Sequence, residues 1–493
     1  MIIIQVSAKL DGLGDFAFCL KLAEFLNECM EYHDDVYIVT TNPGAEARLL
    51  ALYNEEDYPS IHILNRAQYQ TMFPDTKSSA KDEEDLLLED ANEEPLVKAY
   101  IRAPALTGLA KERLTLPSNQ DCKVIVISEY GYSRKGLPFA RNLLDEEDQR
   151  EVILIDAGFG DTEKGILINK KLARISNPNV SDEERFDLEM LFKERLAKGS
   201  MALLHRVFGS ADPDIHSYHQ NSELSFAYFN KEGSDCRFDY LNMLTRVYDP
   251  GKSQDVVIMG GHNDKPIPNF DLFRDKLISD GFTKIVSVDS DGQEVVLYSD
   301  VSQTQTHPNE KIFRLLSMSP ITPKQTEALL GLSNGRLCGT TGDQSFGDAI
   351  SARKIPFYQV RKHKEHFAED FVSQINKEAD SEMSAVLTYC VSKESERSST
   401  ELPDHVSSTC LERWDLFCDN IHRKQDLGKA IYATIRGEEL VHSIASSSLS
   451  IEKTRHIKKG MADLKSSVKV EPEEQSTQSK NPKDSSGCGC TIS

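Results

Sequence analysis

Two loops in this sequence set carboxylates among glycines at the start of a helix. The first is Leu10-Asp11-Gly12-Leu13-Gly14-Asp15, directly after an apolar strand. Gly12 and Gly14 let the backbone turn tightly and leave room for a ligand against it. The helix start adds free N–H groups and a partial positive charge. Asp15 alone could be an ordinary N-cap. With Asp11 it forms a carboxylate pair suited to general-base work. The second loop is Gly339-Thr340-Thr341-Gly342-Asp343-Gln344-Ser345-Phe346, again strand, glycine loop, helix. The hydroxyls and amides of Thr341, Gly342, Gln344 and Ser345 at a helix N-terminus suit a diphosphate. Asp343 would be repelled by that phosphate, so it fits sugar hydroxyls or a positive acceptor better. Plain helix capping is the alternative for each loop. Taken together they say more, because each falls at the carboxyl end of a strand in a different half of the chain.

The elements that must position these loops alternate. In the first half, strands are expected at Ile2–Ala8, Val36–Thr41, Ile61–Leu64, Lys123–Ser128 and Val152–Ala157, with helices at Asp15–Glu31 and Glu46–Tyr53. The acidic stretch Lys81–Glu94 reads as an exposed insertion or a solvated helix. After a helix at Ser181–Ala197, a second cycle opens. Its strands are expected at Ser225–Phe229, Asp255–Met259, Lys284–Val288, Glu294–Tyr298, Ile312–Met318, Arg336–Gly339 and Ile355–Gln359. Its helices are expected at Phe238–Val247, Phe270–Asp280, Thr322–Leu332 and Gln344–Ala352. Strands apolar on both faces, alternating with helices, mean parallel sheets covered on both sides. The fold class expected is α/β, two tandem Rossmann-like parallel-sheet domains facing a cleft, with a helical C-terminal segment and a disordered tail. The boundaries are 1–215, 216–400, 401–460 and 461–493. The helical pattern at Cys410–Ala445 reads as a small cap or as a return to the first domain.

The chain has 493 residues and a formal net charge of −22, which argues against non-specific binding to nucleic acid or bare anionic lipid. Ten cysteines without a C-x-x-C pair read as reduced thiols. The start, Met1-Ile2-Ile3-Ile4-Gln5-Val6, lacks a basic leader and reads as a strand, not a signal peptide. Asp289-Ser290-Asp291 imitates a metal-binding D-x-D, but with Gly292 and a strand on each side it reads as a hairpin turn. His216 and His219 read as surface histidines, so no metal is expected. His262 could touch a phosphate or merely end a strand. The basic run Arg361-Lys362-His363-Lys364 could offset phosphate charge or simply be solvated.

The last four residues, Cys490-Thr491-Ile492-Ser493, form a prenylation box whose terminal Ser favours farnesyl. A polar tether, Ser466–Gly487, precedes it, and Cys488 offers a second acylation site, since one lipid chain anchors only marginally. The expectation is a protein held on the cytosolic face of a eukaryotic membrane after meeting a prenyltransferase. The acidic patch Glu471–Glu474 also resembles secretion signals of bacterial effectors delivered to a host.

The two loops resemble those of the two-domain GT-B glycosyltransferases, and within them the bacterial arginine rhamnosyltransferases that modify elongation factor P. That family carries Asp-x-x-Gly-Asp after strand one, then a Cys and a basic-Leu-Ala helix. Here stand Asp11-Gly12-Leu13-Gly14-Asp15, Cys19 and Lys21-Leu22-Ala23. Its second domain has a Pro-containing segment before a helix and then Gly-Glu-Asp-Ser-Phe. Here stand Ser319-Pro320-Ile321-Thr322-Pro323 and Gly342-Asp343-Gln344-Ser345-Phe346. The resemblance implies Asp15 as base or acceptor-orienting acid with Asp11 beside it, Asp343 in place of the cleft glutamate, and Ser345 as a diphosphate ligand. It also implies Phe226 and Tyr228 as an aromatic pair packed on the donor base. Two departures stand out. Asp343 is shorter than Glu, and Gln344 replaces an acid. The function expected is an inverting, metal-independent, cofactor-free transferase that moves a sugar from a nucleotide donor to a protein. A non-catalytic membrane-tethered scaffold and a sugar-nucleotide epimerase are the alternatives.

Overall fold

The structure is a computed structural model. It describes residues 1–438 except 7–13, 30–34, 42–49, 51–52, 54–57, 75–95, 104–113, 115, 120, 129, 131–149, 199–200, 232–233, 261–264, 290, 301–309, 320 and 398–399. Asp11, Gly12, the Lys81–Glu94 insertion, His262, Cys488 and Cys490 therefore lie outside the described residues. Gly14 and Asp15 are described by their backbone alone.

The first sheet is built from β1 (Ile2–Val6), β2 (Val36–Thr40), β3 (Ile61–Asn65), β4 (Ala99–Arg102), β5 (Lys123–Ile127) and β6 (Val152–Ile155). All are parallel, in the order β3-β2-β1-β4-β5-β6. β1 is buried along its whole length, as an inner strand covered on both faces must be. Strand β4 escaped the sequence reading. It is four residues long and includes Arg102, so no apolar run marks it. It matters most for topology, because it takes the place beside β1.

The second sheet comprises β7 (Ser222–Phe229), β8 (Ser253–Gly260), β9 (Lys284–Val288), β10 (Glu294–Ser299), β11 (Ile312–Met318), β12 (Leu337–Thr340) and β13 (Ile355–Tyr358). Their order is β10-β9-β11-β8-β7-β12-β13, and β10 alone runs antiparallel. The Asp289–Gly292 turn is the hairpin expected. Asp289 Oδ1 accepts from the N–H groups of Asp291 (2.9 Å) and Gln293 (2.8 Å), and Gly292 sits at φ 84°.

The described helices are α1 (Gly14–Cys29), α2 (Arg66–Met72), α3 (Lys170–Ile175), α4 (Asp182–Ala197), α5 (Met201–Phe208), α6 (Ile215–Asn221), α7 (Arg237–Val247) and α8 (Phe270–Ser279). They continue as α9 (Pro323–Leu332), α10 (Asp343–Ser351), α11 (Glu365–Glu378), α12 (Ser381–Val391), α13 (Glu394–Arg397), α14 (Ser408–Lys424) and α15 (Leu427–Arg436). Local signals fix several ends. Thr322 and Gln325 form a capping box ahead of α9, with Pro323 at its first position. Among the described residues no helix is long and apolar enough to cross a membrane.

Packing assigns two segments of the chain. Residues 182–215, placed with the first domain, pack on the second sheet: Leu188, Phe192, Leu204 and Ile215 share a core with Leu224, Phe226 and Val257. Of the two C-terminal helices, α14 stays on the second unit, its Trp414 Nε1 donating to the Arg353 carbonyl (3.0 Å), and α15 reaches the first, where a Cβ at Gly428 would stand 2.9 Å from the Phe25 ring of α1. A continuous apolar cluster joins both sheets, from Ile4, Phe18 and Ile125 to Phe346, Phe357 and Phe371.

Candidate functional site

In each sheet the strand order reverses once beside the first strand. Successive strands step from β1 to β2 on one side, and the chain then resumes at β4 on the other. In the second sheet it steps from β7 to β8 and later resumes at β12. Helices that follow such neighbours leave to opposite faces, so a crevice opens at their carboxyl ends, and open α/β sheets bind ligands there. Both carboxylate loops fall at these points, since α1 opens after β1 and α10 after β12.

The second crevice is organised by a side chain that the sequence reading missed. Gln359 is 1% exposed and follows β13. Its Oε1 accepts from the Asn230 N–H (2.8 Å) and the Thr341 hydroxyl (2.8 Å). Its Nε2 donates to the carbonyls of Asn230 (3.1 Å) and Ser234 (2.7 Å). One amide thus ties together the ends of β7, β12 and β13. A polar residue closing the apolar strand Ile355–Tyr358 was the available signal.

The expected donor ligands are largely occupied by this framework. The Thr341 hydroxyl is bound to Gln359. Ser345 Oγ accepts from the N–H groups of Thr341 (3.2 Å) and Gly342 (3.1 Å) and donates to the Gly342 carbonyl (2.8 Å). Ser345 therefore shapes the loop. Phe226 is 3% exposed in the core beneath the sheet, so the expected aromatic pair is split. Tyr228, on the same face and two residues nearer the crevice, is half-buried. Burial raises its phenol, and the nearby Arg361 works against that rise. Beside it Gly260 sits at φ 94°, where a Cβ would meet the Phe229 carbonyl at 2.1 Å and the Tyr228 ring at 3.2 Å. The backbone N–H groups of the first turn of α10 are oxyanion donors at this crevice.

Asp343 is also committed. Its Oδ2 pairs with Lys364 Nζ at 2.6 Å, and its Oδ1 accepts from the Tyr358 hydroxyl at 3.2 Å. The side chains of Asp343 and Lys364 are only 11% and 12% exposed. A carboxylate held this way orders the crevice. Lys364 belongs to the basic run noted in the sequence and spends its charge inward.

Tyr130 closes this group from the other sheet. It stands three residues beyond the carboxyl end of β5 and is 3% exposed. Its hydroxyl accepts from the Leu167 N–H (3.2 Å) and lies beside the Gln344 side chain. Burial drives its pKa up, and the Asp343 charge adds to that rise. The Phe18 ring of α1 lies edge-on to it at 6.5 Å. Likewise Phe159, beyond the end of β6, lies 6.3 Å from Phe346 of α10. The carboxyl ends of the two sheets thus meet each other.

Charges reinforce the junction. Lys21 of α1 pairs with Asp348 of α10, and Lys324 of α9 pairs with Glu24 of α1. Burial opposes the charge on Glu327, but Lys324, Arg195, Lys171 and the Asn169 amide hold it below its usual value.

The molecule is a protein of two doubly wound α/β units, one crevice in each, joined carboxyl end to carboxyl end. No protein-family profile matches the chain, and no curated protein is similar to it in sequence. Solved structures align over most of its length. An α-glucosyltransferase in complex with UDP and a 13-mer DNA covers 91% of this chain and 98% of its own, at 11% identity and a TM-score of 0.33. HepE of Anabaena in complex with UDP covers 88% and 99%, at 9% identity and a TM-score of 0.32. A UGT transferase of Siraitia grosvenorii with UDP covers 89% and 94%, at 10% identity and a TM-score of 0.30. Likenesses this distant carry no argument about activity.

Proposed function

We propose that this chain is a nucleotide-sugar-dependent glycosyltransferase of the GT-B arrangement, with a protein side chain as acceptor. The observation that carries the reading is the meeting of Tyr130 with Gln344 at the start of α10. Through Phe18 of α1, which lies 6.5 Å from the Tyr130 ring, it brings α1 and the α10 N-terminus to the same junction of two sheet ends. The acceptor's hydroxyl or guanidino group attacks the anomeric carbon with inversion, and its proton passes to Asp15, or to Asp11 beside it. The bond from that carbon to the diphosphate breaks, and the diphosphate leaves with the electron pair toward the α10 N–H groups. Tyr228 flanks the nucleotide base.

Thermal unfolding with nucleoside diphosphates and their sugars tests this. One nucleotide should raise the melting temperature, and Asp15→Asn should keep that shift while losing about 10²–10⁴-fold in turnover. If no nucleotide shifts it, the reading fails. The inward turn of Thr341, Asp343 and Ser345 favours a second reading, a scaffold that keeps the fold without turnover. That reading predicts no nucleotide shift at all. Membrane attachment through Cys490 and Cys488 is a separate proposal, read by fractionating the Cys490→Ser variant.

A further inference from the structure

At the opposite end of the second sheet, before β12 and β13, lies a cavity of about 210 Å³. Arg185, Arg336, Arg353 and Lys354 line it, with Glu189 the carboxylate among them. Four cations against one lining carboxylate set this cavity apart in a chain of net charge −22, although two of the four also pair with carboxylates. His219 also lines it. Burial keeps its ring neutral by lowering its pKa to about 4, and its Nε2 lies 2.9 Å from the Leu332 carbonyl.

Two of these cations have no carboxylate within ion-pair distance among the described residues. Arg185 donates to the carbonyls of Ile175 (2.9 Å) and Asn177 (3.1 Å). Lys354, 6% exposed, donates to the carbonyls of Ser333 (2.9 Å) and Gly335 (2.7 Å). Carbonyls orient these cations without neutralising them. The other two pair with Asp415 and Asp419, yet each leaves its Nε buried without an acceptor. Arg353 is itself 5% exposed. It also sits at φ 52°, at the turn that ends α10, where its N–H bonds the Ile350 carbonyl and the next N–H bonds that of Ala349. Glycine normally takes that place. An arginine held there against its backbone preference is a departure of the kind that clusters at ligand sites.

We propose that this cavity is a site for a phosphate-type oxyanion, either inorganic phosphate or the phosphate end of a small ester. Guanidinium groups match tetrahedral oxyanions, and Lys354, buried and held by carbonyls alone, gains from an anion beside it. The cavity is smaller than those that enclose drug-sized ligands, of roughly 300 Å³ and above, which limits the occupant to a small molecule. It lies at the amino ends of strands whose carboxyl ends form the crevice, so it is distinct from the donor site.

The test is thermal unfolding of the full chain with inorganic phosphate, with glucose 6-phosphate, and with sodium chloride at matched ionic strength. Phosphate should raise the melting temperature and chloride should not. A larger shift with glucose 6-phosphate identifies an ester, and equal shifts identify the free ion. Arg185→Gln lies on α4 outside the crevice and should weaken phosphate about tenfold or more, while any nucleotide shift stays intact. Lys354→Gln, if it folds, should do the same. A phosphate shift that survives Arg185→Gln, or one that chloride reproduces, overturns the proposal.

Discussion

Gln359 joins three strand ends through one amide, and no replacement lacking both an acceptor and a donor can do so. Gln359→Ala leaves the Asn230 N–H and the Thr341 hydroxyl without their acceptor. Stability should fall by about 3 kcal/mol, read by urea denaturation. An unchanged midpoint would mean that solvent reaches these groups. Asp343 distinguishes two roles more sharply. Asp343→Asn removes a carboxylate from Lys364 Nζ at 12% side-chain exposure, which should cost about 1–3 kcal/mol. The double variant Asp343→Asn/Lys364→Met should recover most of it. A free general base would behave otherwise, losing turnover with little change in stability. The residue types at both loops were legible in the sequence. The commitments of Asp343 and Ser345 were not, because Lys364 and the turned-back hydroxyl bond become neighbours only when the loop closes.

At the scale of elements, the turn after β6 carries a pH dependence. Gly158 and Gly165 bridge across it, and Glu163 caps it by accepting from the Gly160 N–H at 2.8 Å. Burial raises Glu163 from 4.5 to about 7, with Asp370 of α11 and Asp156 adding repulsion. Burial likewise raises Asp156 from 3.8 to about 6, against the Ser128 hydroxyl and Lys164. The folded state therefore holds these protons more tightly than the unfolded chain. Their contribution is full below the unfolded values and is lost as pH rises through about 6 and then about 7. Glu163→Gln should be more stabilising at pH 8 than at pH 5, measured as the difference in denaturation midpoint from the parent. A larger difference at pH 5 would contradict the assigned direction. Every described strand but β4 was visible as an apolar run, whereas α2, α3, α5, α6 and α11–α13 were not read from the sequence.

For the whole molecule, the two chain crossings between the sheets are fastened to each other. The Ile166 N–H donates to the Gln425 carbonyl (3.1 Å), and the Leu427 N–H donates to that of Ile166 (2.9 Å). Gly165, at φ 91°, makes this possible, since a Cβ there would lie 1.8 Å from the Gln425 carbonyl oxygen. Gly165→Ala should therefore cost about 2–4 kcal/mol through strain and displacement. Protection of the Leu427 amide in hydrogen exchange should fall with it, and unchanged protection would refute the fastening. By itself the sequence determined that two parallel α/β units exist and that a glycine-and-carboxylate loop follows a strand in each. Those features are local, set by side-chain periodicity and backbone freedom. Only the tertiary structure decided that the sheet ends meet through Tyr130 and Gln344, that Asp343 is neutralised by Lys364, and that cations gather before β12 and β13. Each of these is a contact between residues far apart in the chain, which no spacing along it encodes.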